Sequence, residues 1–300
     1  MPASETPVSV VGAGIMGSAF ITRLLAVGHP VTVFDLDKAK VAAMTTKGAL
    51  AAGSAAEAGR ASPFVITSLN SAAIVRAAVF GPGGIAEGLR PQSLLIDMSS
   101  IDPTSTRALA EELAAKTGAG FVDAPLSGGA PRALEGKLTV MAGGAAEHVE
   151  RARAVMDSLC ANYTHMGPSG AGQTTKLVNQ VLCAIGFQAV AEAVRLAEAG
   201  GVDAARLAQA LAGGRADSRI LQEFGPKMAR RDYAPTGRID NMMKDLEGVE
   251  SFAAAHRLFL PVSGQLAQLH RLFLAAGLGA ADTAEMMKQF DGFEDGGSAG

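Results

Sequence analysis

A glycine-rich turn near the N-terminus constrains the fold of this 300-residue chain more than any other feature. Gly12, Gly14 and Gly17 follow the β-branched run that ends at Val11, and they open a predicted helix. In such a turn the first glycine allows the tight bend and the second lets backbone approach a pyrophosphate, while the third lets the helix lie close on the strand. The pattern predicts a dinucleotide-binding βαβ unit. The residues predicted to contact the cofactor in this turn are Gly12, Gly14, Ile15, Met16 and Gly17.

An acidic residue, Asp35, ends the second predicted strand. Dinucleotide-binding units carry a carboxylate at this place, where it accepts hydrogen bonds from ribose hydroxyls. The Asp35 carboxylate would repel the 2′-phosphate of NADP, and no arginine follows it at positions 36 to 38. We therefore expect NAD as the cofactor and NADP to be less favoured, although Lys38 and Lys40 soften that preference.

The secondary-structure pattern changes partway along the chain. Up to about residue 166, short β-branched runs alternate with alanine-rich helical stretches, which predicts a Rossmann domain at 1–166 with a doubly wound parallel sheet. Residues 173–198 then read as one long helix that is apolar on more than one face. We predict an all-helical domain at 167–290 built on this long interdomain helix, and a disordered, glycine-rich tail at 291–300. Strands are predicted at Val8–Val11, Val31–Phe34, Phe64–Thr67, Leu94–Asp97, Phe121–Asp123 and Leu138–Met141.

Composition and charge narrow the classes of partner. The formal net charge is −3 and the basic residues are scattered singly, so neither a nucleic acid nor a membrane is expected as a partner. The five histidines and the two cysteines, Cys160 and Cys183, lack metal-ligand spacing, and no metal is expected. The N-terminal residues lack the segments of a signal peptide, so we expect a cytoplasmic protein.

Two further segments carry polar groups suited to chemistry on a small molecule. Lys176 and Asn179 lie one helical turn apart, after the glycines of Gly167–Gly172, and present an amine and an amide on one helix face. An isolated lysine of this kind is more often an ordinary surface residue. Ser127, Gly128 and Gly129 follow a predicted strand, where a hydroxyl beside open backbone N–H groups suits a carboxylate, although a plain glycine turn would look the same.

Taken together, these segments resemble the β-hydroxyacid dehydrogenase family, which includes 3-hydroxyisobutyrate dehydrogenase, tartronate semialdehyde reductase and threonate dehydrogenase-like enzymes. The resemblance covers nearly the whole chain and implies a role for each matching residue. Lys176 would be the catalytic acid/base, and Asn179 would position the substrate with it. Ser127, Gly128 and Gly129 would hold the substrate carboxylate. Ser100 would lie near the nicotinamide, and Lys244 would close the site from the helical domain, touching cofactor or substrate. The matching motifs are Gly12–Gly17, Asp97–Pro103, Asp123–Gly129, Gly167–Asn179 and Lys244–Leu246.

The substrate branch depends on small departures from the family pattern. Gln180 stands where 3-hydroxyisobutyrate dehydrogenases tend to have a second asparagine, so the resemblance favours tartronate semialdehyde and glycerate, or a threonate-like acid. The alternatives are a 3-hydroxyisobutyrate dehydrogenase, an imine reductase-like enzyme and, in a different class, a nonenzymatic NAD-binding redox sensor. A homodimer or homotetramer is expected because the long apolar helix has more than one face to bury.

Overall fold

The computed structural model describes residues 6–292, and within them the first part of the chain is built on one mixed β-sheet. The helices of this part pack on both faces of the sheet. The strands are β1 (Val8–Val11), β2 (Val31–Phe34), β3 (Leu50–Ala51), β4 (Phe64–Thr67), β5 (Leu94–Asp97), β6 (Gly120–Asp123), β7 (Leu126–Ser127), β8 (Leu138–Gly144) and β9 (Cys160–Gly167). The helices are α1 (Ile15–Ala26), α2 (Lys38–Thr45), α3 (Ala55–Ala61), α4 (Ala72–Phe80), α5 (Pro103–Thr117), α6 (Gly129–Leu134) and α7 (Ala146–Met156).

The sheet confirms the predicted doubly wound α/β class. Its strand order is β3-β2-β1-β4-β5-β6-β8-β7, and all pairs from β3 to β6 are parallel. Beyond β6 the sheet is mixed, because β8 runs antiparallel to both β6 and β7 while β9 pairs parallel with β8. Strands β3, β7 and β9 were not predicted. The first two have only two residues each, and polar Asn162, Thr164 and His165 interrupt β9, so none of the three shows an apolar run.

The central strands are apolar throughout because both faces of the sheet are covered. Successive side chains of a strand point to opposite faces. Val10 and Ile66 accordingly lie in one hydrophobic core, and their chain neighbours Val11 and Val65 lie in the core on the other face. All four residues of β1, β4, β5 and β6 are buried. This two-sided burial explains why the sequence shows continuous runs rather than alternation in these strands.

The second part of the chain is helical. The chain forms two compact units that divide between Lys176 and Leu177, inside the long helix α8 (Ala171–Ala199). Residue 166, after which the boundary is predicted, lies near the end of β9, and the predicted domain limits stay a prediction. The remaining helices are α9 (Leu207–Leu211), α10 (Arg219–Arg230), α11 (Ile239–Ala255), α12 (Pro261–Ala275) and α13 (Lys288–Asp291). Asp291, the first residue of the predicted disordered tail, thus ends a helix, and the tail from 293 onward lies outside the described residues.

Helix α8 forms the core of the second unit. Ala184, Ala191 and Val194 are fully buried among apolar side chains of this unit. By length and apolar composition α8 would also suit a membrane span, and it is the one helix within residues 6–292 that does. Packing within the helical unit accounts for part of this apolar composition, whereas Val178, Leu182 and Leu196 of the same helix are exposed. The predicted oligomer and the predicted cytoplasmic location stay predictions.

The N-terminus of α8 lies directly against the ends of two strands. A Cβ atom on Gly172 would lie 2.7 Å from the Asp123 carbonyl oxygen and would also overlap the carbonyl oxygen of Met141. On the strand side, a Cβ on Gly143 would lie 2.7 Å from the Gly172 nitrogen. The two glycines therefore permit an approach that no residue with a side chain would allow.

Replacing Gly172 by alanine is expected to lower the free energy of unfolding by about 1 to 3 kcal/mol, because the added methyl overpacks the strand ends. The matched control is Gly264 in α12, whose Cβ would have no atom within 4 Å. Alanine there is expected to raise the free energy of unfolding by about 0.5 to 1 kcal/mol, because alanine is the better helix former. Urea denaturation followed by circular dichroism measures both changes, and effects of the same sign would contradict the packing argument.

Candidate active site

The glycine turn has two closely packed positions and one open position. Gly12 has φ +100°, and a Cβ there would lie 2.5 Å from the Ser68 carbonyl oxygen. A Cβ on Gly17 would overlap the Gly12 carbonyl oxygen. Gly14 precedes α1 and has no atom within 4 Å of its Cβ position. The first and third glycines thus hold the helix on the strand, while the second leaves the open backbone that a pyrophosphate requires.

A cleft of about 640 Å³ lies beside this turn, and Gly12, Gly14 and Asp35 line it. The Asp35 carboxylate accepts hydrogen bonds from the backbone N–H of Ala13, at 2.7 Å, and of Asp37, at 2.8 Å. These bonds fix the carboxylate at the edge of the cleft. The glycine turn, the cleft and the carboxylate together fit the adenosine and pyrophosphate portion of a dinucleotide.

The lining of the cleft also bears on the other cofactor predictions. Lys40 is among the lining residues, and its ammonium lies 3.6 Å from a carboxylate oxygen of Asp37. Ile15, Met16 and Gly17 are not among the lining residues: Ile15 is 82% exposed, Met16 packs on a hydrophobic core and Gly17 is buried. Their contact with the cofactor stays a prediction.

A row of polar side chains crosses the carboxyl ends of β4, β5 and β6. Thr67, Asp97 and Asp123 occupy matching positions on these three neighbouring strands. Oδ1 of the fully buried Asp97 accepts hydrogen bonds from the Thr67 hydroxyl, at 2.8 Å, and from the Ser99 N–H, at 3.1 Å. Its Oδ2 has no hydrogen-bond partner among the described residues. Burial raises the pKa of Asp97 to about 6, and the neighbouring Asp123 carboxylate adds to the rise.

Asp123 caps the first turn of α8. Its two carboxylate oxygens accept hydrogen bonds from the Gly170 N–H, at 2.8 Å, and from the Gln173 N–H, at 3.0 Å. Burial raises the pKa of Asp123 even though these backbone N–H groups favour the charged form. The carboxylate therefore joins the end of β6 to the helix that carries Lys176.

Lys176 and the Ser127 segment lie together in the first unit. The Lys176 ammonium donates a 2.8 Å hydrogen bond to the carbonyl oxygen of Leu126, the residue before Ser127 in β7. Ser127 is half-buried, whereas Gly128 and Gly129 are exposed and have φ +124° and +67°. The Lys176 amine thus contacts the residue next to Ser127, while the carboxylate-binding role of the Ser127 segment and the acid/base role of Lys176 stay predictions.

The loop that contains Ser100 is held by residues to which the sequence analysis gave no role. Gln173, which is 1% exposed, donates a 2.7 Å hydrogen bond from Nε2 to the Ser99 carbonyl oxygen and accepts one of 3.3 Å at Oε1 from the Ile101 N–H. Asp97 binds the same loop at the Ser99 N–H. Asp97 could have been found from the sequence, because it is an acid at the end of an otherwise apolar strand. The hydrogen bonds of Gln173 could not, because 72 and 74 residues separate Gln173 from its two partners.

Asn179 and Lys244 belong to the second unit. The Asn179 amide donates hydrogen bonds to Gln180 Oε1, at 2.7 Å, and to the Cys183 sulfur, at 3.5 Å. Gln180 in turn donates to the carboxylate of Asp245 in α11, the residue after Lys244. The buried Gln180 therefore holds the Asn179 side chain and ties α8 to α11 within the helical unit.

The sequence and the structure match known proteins along nearly their whole length. Residues 7–167 match the family model of the NAD binding domain of 6-phosphogluconate dehydrogenase, and residues 170–290 match that of the NAD-binding domain of NADP-dependent 3-hydroxyisobutyrate dehydrogenase. The chain is 33% identical to the NAD-dependent L-serine dehydrogenase of Pseudomonas aeruginosa over 95% of this chain and 97% of the relative. It is 32% identical to the 2-hydroxy-3-oxopropionate reductase of Escherichia coli over 94% of this chain and 96% of the relative.

A solved structure agrees with both matches. The 3-hydroxyisobutyrate dehydrogenase of Mycobacterium tuberculosis, studied with L-serine, superposes with a TM-score of 0.87 at 28% identity, covering 95% of this chain and 99% of that one. The matches extend through both units, so they include the Lys176 and Ser127 segments as well as the glycine turn.

Stability is expected to fall with rising pH because of Asp97. The folded protein keeps the Asp97 proton up to a pH of about 6, whereas the unfolded chain releases it near 3.8. Between these values the folded state binds more protons than the unfolded state, so the free energy of unfolding decreases as pH rises and levels off above about 6. The shift of about two pKa units corresponds to about 3 kcal/mol.

Comparison with the Asp97→Asn variant isolates this titration. The free energy of unfolding of the variant minus that of the wild type is expected to increase by about 2 kcal/mol between pH 4 and pH 7, because the unfolded carboxyl is already partly ionised at pH 4. If the amide itself changes the free energy of unfolding by a constant amount, that amount is the same at every pH and does not affect the change with pH. Urea denaturation at pH 4, 5, 6 and 7 measures it. A difference independent of pH would mean that Asp97 is ionised throughout.

Proposed function

The chain belongs to the β-hydroxyacid dehydrogenase family, and we propose that it interconverts glycerate and 2-hydroxy-3-oxopropionate, which is tartronate semialdehyde. Its activity class is NAD-dependent oxidation or reduction of a β-hydroxy acid, the class shared by its dehydrogenase and reductase relatives. The acid and the roles of the individual residues are the proposal. The observation that carries the roles is the hydrogen bond from Lys176 to the Leu126 carbonyl, which seats an amine beside Ser127.

In this proposal Ser127 and the neighbouring backbone bind the substrate carboxylate. The Ser127 hydroxyl and the backbone N–H groups of the exposed residues Gly128 and Gly129 are donors that suit a carboxylate. Fixing the carboxylate at one end of a three-carbon acid fixes the position of its β-hydroxyl.

Lys176 moves the proton of that hydroxyl. During oxidation its neutral amine accepts the hydroxyl proton, and during reduction its ammonium returns the proton to the carbonyl oxygen. When bound, NAD supplies the acceptor for the hydride that leaves the β-carbon, and its reduced form supplies the hydride for the reverse direction. The Leu126 carbonyl keeps the amine beside Ser127 by accepting its hydrogen bond.

Three residues outside the Ser127 segment complete the proposal. Asn179 orients the substrate, and its own amide is held by Gln180. Lys244 contacts cofactor or substrate, and Ser100 contacts the nicotinamide end of the cofactor. Their support is the resemblance of their motifs to the family pattern.

The choice of glycerate rests on Gln180 and on the relatives. The asparagine that 3-hydroxyisobutyrate dehydrogenases tend to have at this position is replaced by a longer amide that spans from Asn179 to Asp245. A 2-hydroxy-3-oxopropionate reductase is among the relatives that match over nearly their full length. L-Serine, which is named for one relative and one solved structure, carries the same β-hydroxyl and is the main competitor.

Replacing Lys176 by methionine is expected to lower kcat by about 10² to 10⁴-fold, because the general acid/base is lost while the length of the side chain is kept. NAD affinity, measured by calorimetry, is expected to change little. Lys116→Met is the control, since Lys116 is an exposed lysine whose ammonium pairs with Glu112 on the same helix. Near-wild-type turnover by a folded Lys176→Met variant would refute the role of Lys176.

Initial rates with a panel of acids test the substrate. Glycerate, L-threonate, L-serine and 3-hydroxyisobutyrate are each assayed with NAD and with NADP by the absorbance of the reduced cofactor. We expect the highest kcat/KM with glycerate and NAD, because Asp35 disfavours a 2′-phosphate. Preference for L-threonate, L-serine or 3-hydroxyisobutyrate would refute glycerate as the substrate but leave the family activity intact. Preference for NADP would refute the prediction that the Asp35 carboxylate disfavours a 2′-phosphate.

A further inference from the structure

We propose that Gln173 is a positioning residue for the dehydrogenase reaction: it fixes the loop that carries Ser100 to the helix that carries Lys176. The inference rests on the proposed roles of Ser100 at the cofactor and Lys176 as acid/base. The role assigned to Gln173 is to keep the Ser100 loop in a fixed position relative to the start of α8.

The side chain of Gln173 forms hydrogen bonds with the residues on both sides of Ser100. Its Nε2 donates to the carbonyl oxygen of the preceding residue, Ser99, at 2.7 Å, and its Oε1 accepts from the N–H of the following residue, Ile101, at 3.3 Å. Gln173 is 1% exposed, so water does not compete for these bonds. A displacement of the Ser100 backbone would break at least one of them.

The backbone of Gln173 is anchored independently. Its N–H donates a 3.0 Å hydrogen bond to the Asp123 carboxylate at the end of β6. Lys176 follows three residues later on the same helix, so the orientation of this first turn sets the direction from which the amine reaches Leu126. One residue thus connects the end of β6, the Ser100 loop and the start of the Lys176 helix.

The other side of the loop is held by the sheet. Asp97 accepts from the Ser99 N–H at 3.1 Å, and the Ser99 hydroxyl accepts from the Leu69 N–H at 2.9 Å. These bonds tie the loop to β5 and to the segment after β4, but they do not reach α8. Gln173 supplies a direct link between the loop and α8 through side-chain hydrogen bonds.

This position requires an amide, because one donor and one acceptor are needed at the same time. An ionised glutamate has acceptors only, so one of its oxygens would face the Ser99 carbonyl oxygen without a proton between them. A protonated glutamate regains a donor and the pattern of the amide. Methionine has a similar length and offers neither bond. The chemistry therefore predicts that the effect of glutamate, but not of methionine, depends on pH.

The test compares Gln173→Glu and Gln173→Met with the wild type, using the acid that the wild type turns over fastest. At pH 8 both variants are expected to lose about 10²-fold in kcat, the scale of effect of misplaced reacting groups, with a smaller change in KM for the acid. The activity of Gln173→Glu relative to wild type is expected to rise at least several-fold from pH 8 to pH 6, while that of Gln173→Met stays constant. Circular dichroism establishes that each variant is folded.

Gln289→Glu is the matched control, since the half-buried Gln289 also donates from Nε2 to a backbone carbonyl, that of Met286 in the helical unit. It is expected to keep wild-type kcat at both pH values. Wild-type kcat in either folded Gln173 variant at pH 8, or the same pH dependence in both variants, would overturn the proposal.

A second readout separates this inference from the proposed function. Calorimetric titration with NAD alone needs no acid, so it works even if none of the tested acids is a substrate. We expect Gln173→Glu to bind NAD several-fold more weakly than wild type at pH 8, and the deficit to shrink at pH 6. Failure of turnover by the wild type with every acid would overturn the proposed function, whereas unchanged NAD affinity in Gln173→Glu at pH 8 would overturn the positioning role.

Discussion

The capping of α8 by Asp123 is the interaction on which the arrangement of the first unit's site depends. A helix that begins against a sheet leaves backbone N–H groups that water cannot reach, and these groups need acceptors. The Asp123 carboxylate provides them to Gly170 and Gln173, at the cost of a buried carboxylate whose pKa is raised. Because the cap fixes the first turn of the helix, it also fixes Lys176 at the next turn, beside Leu126.

Packing around this cap leaves no room for ordinary side chains. Gly143 and Gly172 lie on either side of the Asp123 carboxylate, where a Cβ atom on either would come within 2.8 Å of a carboxylate oxygen. Asp97 lies on the next strand, fully buried, and binds the Ser99 loop. Hydrogen bonds of Asp97 and Asp123 thus connect the carboxyl ends of β5 and β6 to the Ser99 loop and to the N-terminus of α8. This is the edge of an open α/β sheet at which ligands bind.

The extent to which the site was predictable differs between residues. Gly12, Gly14 and Asp35 were predicted together because their spacing lies within one βαβ unit, and the structure places them at one cleft. The proximity of Lys176 to the Ser127 segment followed only from resemblance to the family, since 50 residues separate Lys176 from Leu126. The role of Gln173 was not anticipated, because nothing in its surroundings along the chain distinguishes it from a surface glutamine.

The sequence alone determined the elements whose cause is local: the glycine turn, the apolar parallel strands and the long helix, each set by backbone freedom or by a repeating pattern of side chains. It also determined the family, through motifs spread over the chain. Only the tertiary structure decided which groups bond across the fold, such as Asp123 with Gly170, 47 residues away, or Gln173 with Ser99, 74 residues away. The physical reason is that a hydrogen bond depends on angstrom-scale positions set by the packing of whole elements, and no short pattern of residues encodes those positions.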